Sequence, residues 1–578
     1  MSRLHCLRVL ALLPALPSSA AHPAPADLIV RGGKVITVDR TFSIHEAMAV
    51  KDGRVVRVGG DREVLELRGE KTEVIDVSGK TVVPGLIDSH VHPCAAALTE
   101  FDHPVPEMES IADVLAHVRS RAEKLEAGRW IVVRQVFITR LREERYPTRE
   151  ELDRAAPRHP VVFSTGPDAS VSSLALERSG IDRDFKVRDG GPGFIELDPR
   201  TGEPTGILRG STRYLKIENA ARSPSEEEGD ERLLELLRDY NATGITAILD
   251  RDADRSEIDR YRRLHAAGKL PLRVMISAGV SAIGDLGEVL ERIRKVAADP
   301  LHARDDRLRI IGVKTYLDGG MLTGSAYMRE PWGASKIYGI TDPAYRGVLN
   351  IPPERLVPMV RAAVENGLQF TAHTVGDGAV DVLLDAYEEV DRTIPVRKSR
   401  SSITHSNFMS KEAVARAARL GVPVDIQPAW LYLDTRTLVA QFGYERMRWF
   451  QPLRSIFEAG GIAGGGSDHM QKIGSLRSIN PYNPFLGIET TITRRARWYD
   501  QALHPEEALT REQAIRFYTI QNAHLLFLEE EIGSLEPGKL ADFAILDRNI
   551  LACPAEEISE TKVLRTYVGG KLAFERKA

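Results

Sequence analysis

Cysteine is scarce. Cys6, Cys94 and Cys553 are the three in 578 residues, too few and too widely spaced for a disulfide framework. Neither sign of charge dominates: 78 basic and 82 acidic residues leave a formal charge of −4. That removes the electrostatic case for nucleic-acid binding. Past the first residues no apolar run is long enough to span a bilayer. No Gly-rich phosphate loop follows an early strand, and there is no internal repeat or low-complexity linker. What remains is ordinary for a globular chain, with 43% apolar and 28% charged residues, in a length beyond what one hydrophobic core usually organises.

Residues 1–21 read as a secretory signal peptide. Arg3 and Arg8 make a positive start, Val9 to Leu16 a short apolar core, and Ser19-Ala20-Ala21 a small-residue cleavage region. The mature chain is therefore expected to be exported, to a periplasm or the medium. It then keeps Cys94 and Cys553. Cys94, two residues past His92, could approach a metal, but reads better as a small buried hydrophobe.

Residues 27–84 consist of short β-prone runs broken by glycine, with Gly32-Gly33 and Asp52-Gly53 placed as hairpin turns. Residues 532–578 resume that style. The two ends are expected to build one small β-sandwich domain around a different middle. Residues 85–531 alternate apolar runs with amphipathic helical text. The runs are Leu86–His92, Ile245–Asp250, Leu272–Ser277, Arg309–Leu317, Gln369–His373, Ser402–His405, Pro423–Gln427 and Ile462–Ser467. Eight strands with intervening helices give an α/β fold, a (β/α)8 TIM-like barrel. Residues 95–243 interrupt the rhythm after strand one and read as an inserted subdomain on the loop side. After the barrel, Thr510 to Gln513 is a capping-box pattern opening a helix, AIRFYTIQNAHLLF.

The stretch TVVPGLIDSHVHP, 81–93, reads as a strand ending in His90-Val91-His92. Side chains at i and i+2 share a face of a strand, so the two imidazoles project together, as metal ligands do. The other strand ends supply Lys314, His373, His405 and Asp468. All six stand where a barrel collects its catalytic residues, and together they predict a metal site. Asp318 and Asp377, just past strand ends, are candidates to orient the ligands. Gln427, Trp430, His469 and Tyr482 are candidates to touch substrate.

The motifs GLIDSHVHP, GVKTYLDGG, AHTVGDGAVD, THSNFMS, IQPAW, GGGSDHM and GSLEPGKLADFAILD follow in this order. In that order they resemble the amidohydrolase superfamily, specifically amidohydrolase family 3 and its N-substituted formamide deformylase-like branch. The resemblance spans nearly the whole mature chain. It implies that His90, His92 and Asp468 hold one divalent ion, that His373 and His405 hold a second, and that Lys314 bridges both as a carbamate. With Lys314 unmodified, one ion is expected. Zinc suits these ligands; iron, manganese and nickel are the alternatives. The implied chemistry is hydrolysis of a non-peptide carbon–nitrogen bond in a small linear amide, N-acyl or N-formyl compound. Asp468 takes the proton of the attacking water and delivers it to the leaving amine.

The sequence departs from the family in the insert. Relatives often have Asp-Gly-His and then Asn-Ser, where this chain has Thr165-Gly166-Pro167 and then Ser172-Ser173. The Glu that often follows Thr-Gly-x-Leu is replaced, as Thr205-Gly206-Ile207-Leu208-Arg209 leads to Gly210. Those changes bear on the formamide substrate and leave the metal ligands intact. A cyclic amide hydrolase and a deaminase are the enzymatic alternatives. The deaminase is the weaker, because the residues after His373 are Thr-Val-Gly-Asp, without the proton-moving Glu of related deaminases. A non-catalytic binding or regulatory protein would be marked by lost ligands, and all six are present. Whether the chain forms a homo-oligomer is left open by the sequence.

Overall fold

The eight apolar runs form one parallel sheet. In the computed structural model, which describes residues 24–134, 136–166, 168–218 and 222–577, they are β1 (Leu86–Val91), β2 (Ile245–Ala253), β3 (Arg273–Gly279), β4 (Leu308–Tyr316), β5 (Gln369–Thr374), β6 (Ser402–His405), β7 (Val424–Ile426) and β8 (Ala463–Gly465). The signal-peptide reading, Cys6 and Pro167 lie outside the described residues. Strand order follows the chain, and every neighbouring pair is parallel. Such strands are covered on both faces, which is why they read as continuous apolar runs. β8 is too short to pair fully with β1. The seam is closed just beyond it, where the Asp468 amide donates to the His90 carbonyl and the His92 amide to the His469 carbonyl, both at 2.8 Å.

Inside the barrel Ile87, Ala247, Leu249, Met275 and Ile311 pack against Ala523, Leu525, Leu526 and Leu528, so the C-terminal helical segment closes one end. The Thr510 capping box forms, with Gln513 returning the bond to the Thr510 amide. The helix it opens is not continuous. Arg511–Arg516 is α-helical, Phe517–Gln521 is a π-turn, and Asn522–Leu525 is α-helical again. The wider turn presents Asn522 to the barrel seam. Its Nδ2 donates to the carbonyls of Ile87 (2.6 Å) and Gly465 (2.7 Å), and its Oδ1 accepts from the Gly465 amide (2.7 Å).

Two sheets lie at the chain ends. One joins Arg54–Gly59, Ala47–Lys51, Leu28–Arg31 and Glu73–Asp76. The other joins Lys571–Glu575, Val563–Val568, Phe543–Leu546, Thr81–Pro84, Lys34–Ile36 and Ile44–His45, from both termini. One apolar cluster holds Leu28, Val30, Met48 and Val55 of the first with Val35, Val82, Phe543 and Tyr567 of the second. Two expectations fail here. Gly32-Gly33 is not a hairpin turn: the strands on either side enter different sheets, so the chain crosses between layers. The 81–93 stretch is also not one strand. Thr81–Pro84 belongs to the terminal sheet and Leu86–Val91 to the barrel. The break falls at Gly85, where a Cβ would lie 2.0 Å from Thr246 Oγ1.

Between β1 and β2 a five-stranded sheet of Ile131–Arg134, Val161–Ser164, Ala169–Val171, Phe194–Leu197 and Pro204–Arg209 is flanked by helices including Ile111–Lys124. Its Val133, Phe137 and Phe163 share a core with Met321, Phe408 and Trp430, which follow β4, β6 and β7. The segment thus sits over the C-terminal ends of the barrel strands.

Candidate metal centre

His90 is the penultimate residue of β1, and His92 follows the strand as the cap of the short helix Pro93–Leu98. Both imidazoles turn toward Asp468 from the far side of the seam. Asp468 Oδ1 lies 3.5 Å from His90 Nε2 and 3.3 Å from His92 Nε2. One ligand-type atom from each of the three lies within 4.8 Å of the others. Asp468 reaches this place with a left-handed backbone, φ +55°, and His405 at the end of β6 has φ +77°. Such conformations cost about 1–3 kcal/mol at non-glycine residues and collect at functional sites.

Three of the imidazoles each have one nitrogen near an acceptor. His90 Nδ1 pairs with Asp425 Oδ2 at 3.0 Å, His405 Nδ1 with Gln427 Oε1 at 2.7 Å, and His373 Nε2 with the Gly319 carbonyl at 3.3 Å. A proton on the bonded nitrogen leaves the other with its lone pair, the form that ligates metals. The charge state of these three agrees, whereas at His92 burial is outweighed by the Asp468 carboxylate, which raises the imidazole above its ordinary value. Burial, then the His405 and Lys314 charges, holds His90 well below the usual histidine range. Burial and the neighbouring His373 and Lys314 do the same for His405. Burial and the Lys314 charge hold His373 at about 3. His90 Nε2 is fully buried and has no hydrogen-bond partner. An orphaned buried nitrogen of this kind is rare in a folded protein, and it faces Asp468 and His92. The donor set of two imidazoles and a carboxylate fits a divalent transition ion.

The rings adjoin along the strand ends. His90 and His405 centroids are 4.7 Å apart, and His373 and His405 4.6 Å. Lys314, 1% exposed on β4, has Nζ 4.9 Å from the Tyr316 ring centre. Burial lowers its pKa from the ordinary lysine value. All six residues picked from the strand ends therefore surround one place at the barrel mouth.

A cavity of about 310 Å³ opens on them. Its lining includes His92, Lys314, His373, His405 and Asp468, the carboxylates Asp252 and Glu257, and an apolar wall of Phe137, Met321, Leu322, Trp430 and Met470. Of the four side chains read as substrate contacts, Trp430 is the one on this lining, stacked on His405 at 4.7 Å and 14°. Gln427 is 1% exposed behind His405. His469 is fully buried, with Nδ1 on the Tyr240 hydroxyl at 2.6 Å and Nε2 near the carbonyls of Gln471 and Lys472. Tyr482 packs on His469 and accepts from the Gly474 amide. His469 and Tyr482 face away from the cavity because loop 469–483 folds back on the helix Glu226–Ala242, while Gln427 is held behind the His405 ring. Asp318 and Asp377 also act elsewhere than on the imidazoles. Asp318 accepts from the amides of Tyr327, Val375 and Gly376, and Asp377 from that of Arg329. They fix the loops after β4 and β5. Cys94 is buried and unpaired.

The sequence reading missed Asp425, which orients His90, and Asp88. Asp88 accepts from the Ser467 amide and hydroxyl and the His90 amide, at 2.7–3.1 Å, across the seam. The available signal was an aspartate inside each apolar run, in LIDSHV and PVDIQ. Of the departures from the family pattern, Thr165 and Gly166 line the cavity. Arg209 is buried against the Thr323 carbonyl and Glu196.

An eight-stranded parallel barrel with imidazoles, a lysine and an aspartate gathered at its strand ends is the framework of a metal-dependent hydrolase. An amidohydrolase family model matches residues 73–574, and the chain belongs to that family, as an enzyme that hydrolyses carbon–nitrogen bonds. It is 31% identical to an N-substituted formamide deformylase of Arthrobacter pascens, over 95% of this chain and 98% of that protein. It is 27% identical to the protein LONG AFTER FAR-RED 3 of Arabidopsis thaliana, over 95% and 92%. An uncharacterized metal-dependent hydrolase from Pyrococcus horikoshii has the same fold, with a TM-score of 0.65 and 22% identity over 92% of this chain and 99% of that one.

Proposed function

We propose that this protein is an exported hydrolase of a linear amide, an N-acyl or N-formyl amine, acting with one or two divalent ions, zinc first among them. The observation that carries the reading is the orphaned His90 Nε2, facing His92 and Asp468 at the wall of an open cavity. His90, His92 and Asp468 would hold one ion, and His373 and His405 a second, with Lys314 between them as a carbamate. Burial favours the neutral amine of Lys314, the form that adds to carbon dioxide. A bound divalent ion acidifies water and polarises a carbonyl oxygen. Asp468 accepts the proton released on attack and returns it to the leaving nitrogen, without which an amide does not part. Trp430, Phe137 and Met321 pack the apolar part of the substrate and exclude water. Asp252 and Glu257 are the further charges on the described lining, and no arginine stands there. A neutral or cationic amide suits this wall better than an N-acyl amino acid, whose carboxylate would meet like charge.

Elemental analysis of the purified chain beside Lys314→Ala tests the reading. Two ions per chain, falling to one or fewer in the variant, with turnover of N-formyl or N-acyl amines, are expected. One ion in both makes Lys314 structural. No ion in either, with metal supplied, overturns the reading.

A further inference from the structure

The interior of a barrel of this kind is ordinarily filled by layers of branched apolar side chains. Beneath the candidate metal centre one layer is polar instead. Arg251, fully buried on β2, extends across the barrel. Its Nε donates to the Ser89 carbonyl on β1 at 3.2 Å, and its Nη1 to Gln369 Oε1 on β5 at 2.8 Å. Its Nη2 makes no hydrogen bond and stands 3.5 Å from Asp425 Oδ2 on β7, an ion pair between two fully buried groups. That same oxygen holds His90 Nδ1, while Asp425 Oδ1 accepts from the Ser89 hydroxyl at 2.8 Å. Gln369 is itself tied to the Leu525 carbonyl through Nε2, at 3.2 Å.

We propose that Arg251 is a positioning residue for the metal centre: its buried charge holds the Asp425 carboxylate in place, and Asp425 fixes the His90 ring with Nε2 presented to the ion. The proposal rests on the metal reading above. Three physical points carry it. A guanidinium and a carboxylate withdrawn completely from water are a poor source of stability, and an apolar pair of the same volume is commonly as good or better. Their presence therefore calls for another role. The planar fork is also used divergently: Nε bonds β1, Nη1 bonds Gln369 on β5 and the Ser277 hydroxyl on β3 at 3.4 Å, and Nη2 faces Asp425 on β7, so the group ties four strands as a lysine could not. Finally, the chain of contacts ends directly on His90 and on the backbone of Ser89 beside it, and touches His405 only at one remove, through Gln427, whose Nε2 donates to Asp425 Oδ1 at 3.4 Å. Partners behind a metal-bound histidine set its orientation and basicity, and losing one weakens binding about 10–100-fold.

The test measures zinc affinity by chelator competition and the visible spectrum of the cobalt-loaded protein. It compares wild type, Asp425→Asn, Arg251→Met, Arg251→Lys and the double variant Arg251→Met/Asp425→Asn. The expected result is a loss of affinity of about 10–100-fold in Asp425→Asn and in Arg251→Met, each with an altered cobalt spectrum. The double variant should be no worse than the weaker single, because both act through His90. Arg251→Lys keeps the charge but reaches one acceptor, so it should recover folding and only part of the affinity. Should Arg251→Met not fold, the lysine and asparagine variants carry the comparison. Wild-type affinity and spectrum in folded Arg251→Met, or in both Arg251→Lys and Asp425→Asn, would overturn the proposal and leave the metal reading standing. A wild-type chain that takes up no metal would instead overturn the metal reading, and this proposal with it.

Discussion

Replacing Gly466 by alanine should damage the barrel seam and the metal centre together. An added Cβ would lie 1.8 Å from Asp88 Oδ1 and 2.7 Å from the His90 amide nitrogen. Real Cβ contacts essentially never fall below 3.0 Å, so Asp88 must retreat by roughly 1 Å or more in a close-packed interior. It accepts from the Ser467 hydroxyl at 2.7 Å and the Ser467 and His90 amides at 3.1 Å. Losing two of these bonds costs about 1–2 kcal/mol each, and overpacking adds about 1–3 kcal/mol. Together that is about 3–7 kcal/mol. The control is Gly460→Ala, where a Cβ meets nothing within 4 Å and only the left-handed φ of +73° opposes the change. It should cost about 1–2 kcal/mol. The assay is urea unfolding followed by tryptophan fluorescence, with metal counted per folded chain. Gly466→Ala should unfold at markedly lower urea than Gly460→Ala and hold less metal, since His90 is a candidate ligand and Ser467 adjoins another, Asp468. Equal midpoints and equal metal in the two variants would refute the reasoning.

Trp430→Ala removes the aromatic wall stacked on His405. A 10–100-fold fall in kcat/KM, or about 1.4–2.8 kcal/mol, is expected with metal content unchanged; a loss of metal would instead make Trp430 a prop for His405. Chelation should lower the thermal midpoint and re-addition of zinc restore it, because the ion binds the folded chain and not the unfolded one; an unmoved midpoint counts against the site. Glu529 supplies a pH test away from the cavity. Burial opposes its ionisation, but the hydrogen bonds from His524 and Arg400 and the Arg400 charge outweigh burial and hold the carboxyl at about 2, below its ordinary 4.5. The stabilisation is full above pH 4.5 and is lost as pH falls through 2. Glu529→Gln should thus lower stability by about 1–3 kcal/mol at pH 7, with the gap to wild type narrowing by pH 3; a constant gap would show that ionisation is not its source.

The barrel was legible because its information is local. Parallel strands covered on both faces must be apolar throughout, so eight runs could be counted, and each observed strand end falls within three residues of its run, the largest difference being β2, which continues to Ala253. The candidate ligands were legible for a related reason, since they sit at strand ends, where the text changes from apolar to polar. His90-Val91-His92 carries its geometry in its spacing. The substrate contacts were less legible. His469 and Tyr482 have the right chemistry and the right position in the chain. Whether loop 469–483 turns toward the cavity or back onto the helix Glu226–Ala242 depends on packing among residues distant in sequence.

The partners behind the ligands were hidden for a deeper reason. Asp425 and His90 are 335 positions apart, on strands separated in the ring by β8, and no spacing rule links them. Yet one inference was open. A carboxylate in a buried run, as in LIDSHV and PVDIQ, cannot stay unpaired without raising its pKa or unfolding the strand. Burial does push Asp88 up to about 7 and Asp425 up to about 6, and each is met by donors from across the seam or the barrel. Buried aspartates in apolar runs, together with the one arginine in AILDRDA, therefore implied a polar layer under the strand ends before any coordinate was known. The sequence declares which polar groups must be satisfied. The closed ring of strands decides that they satisfy one another, and that His90 stands at the end of the chain they make.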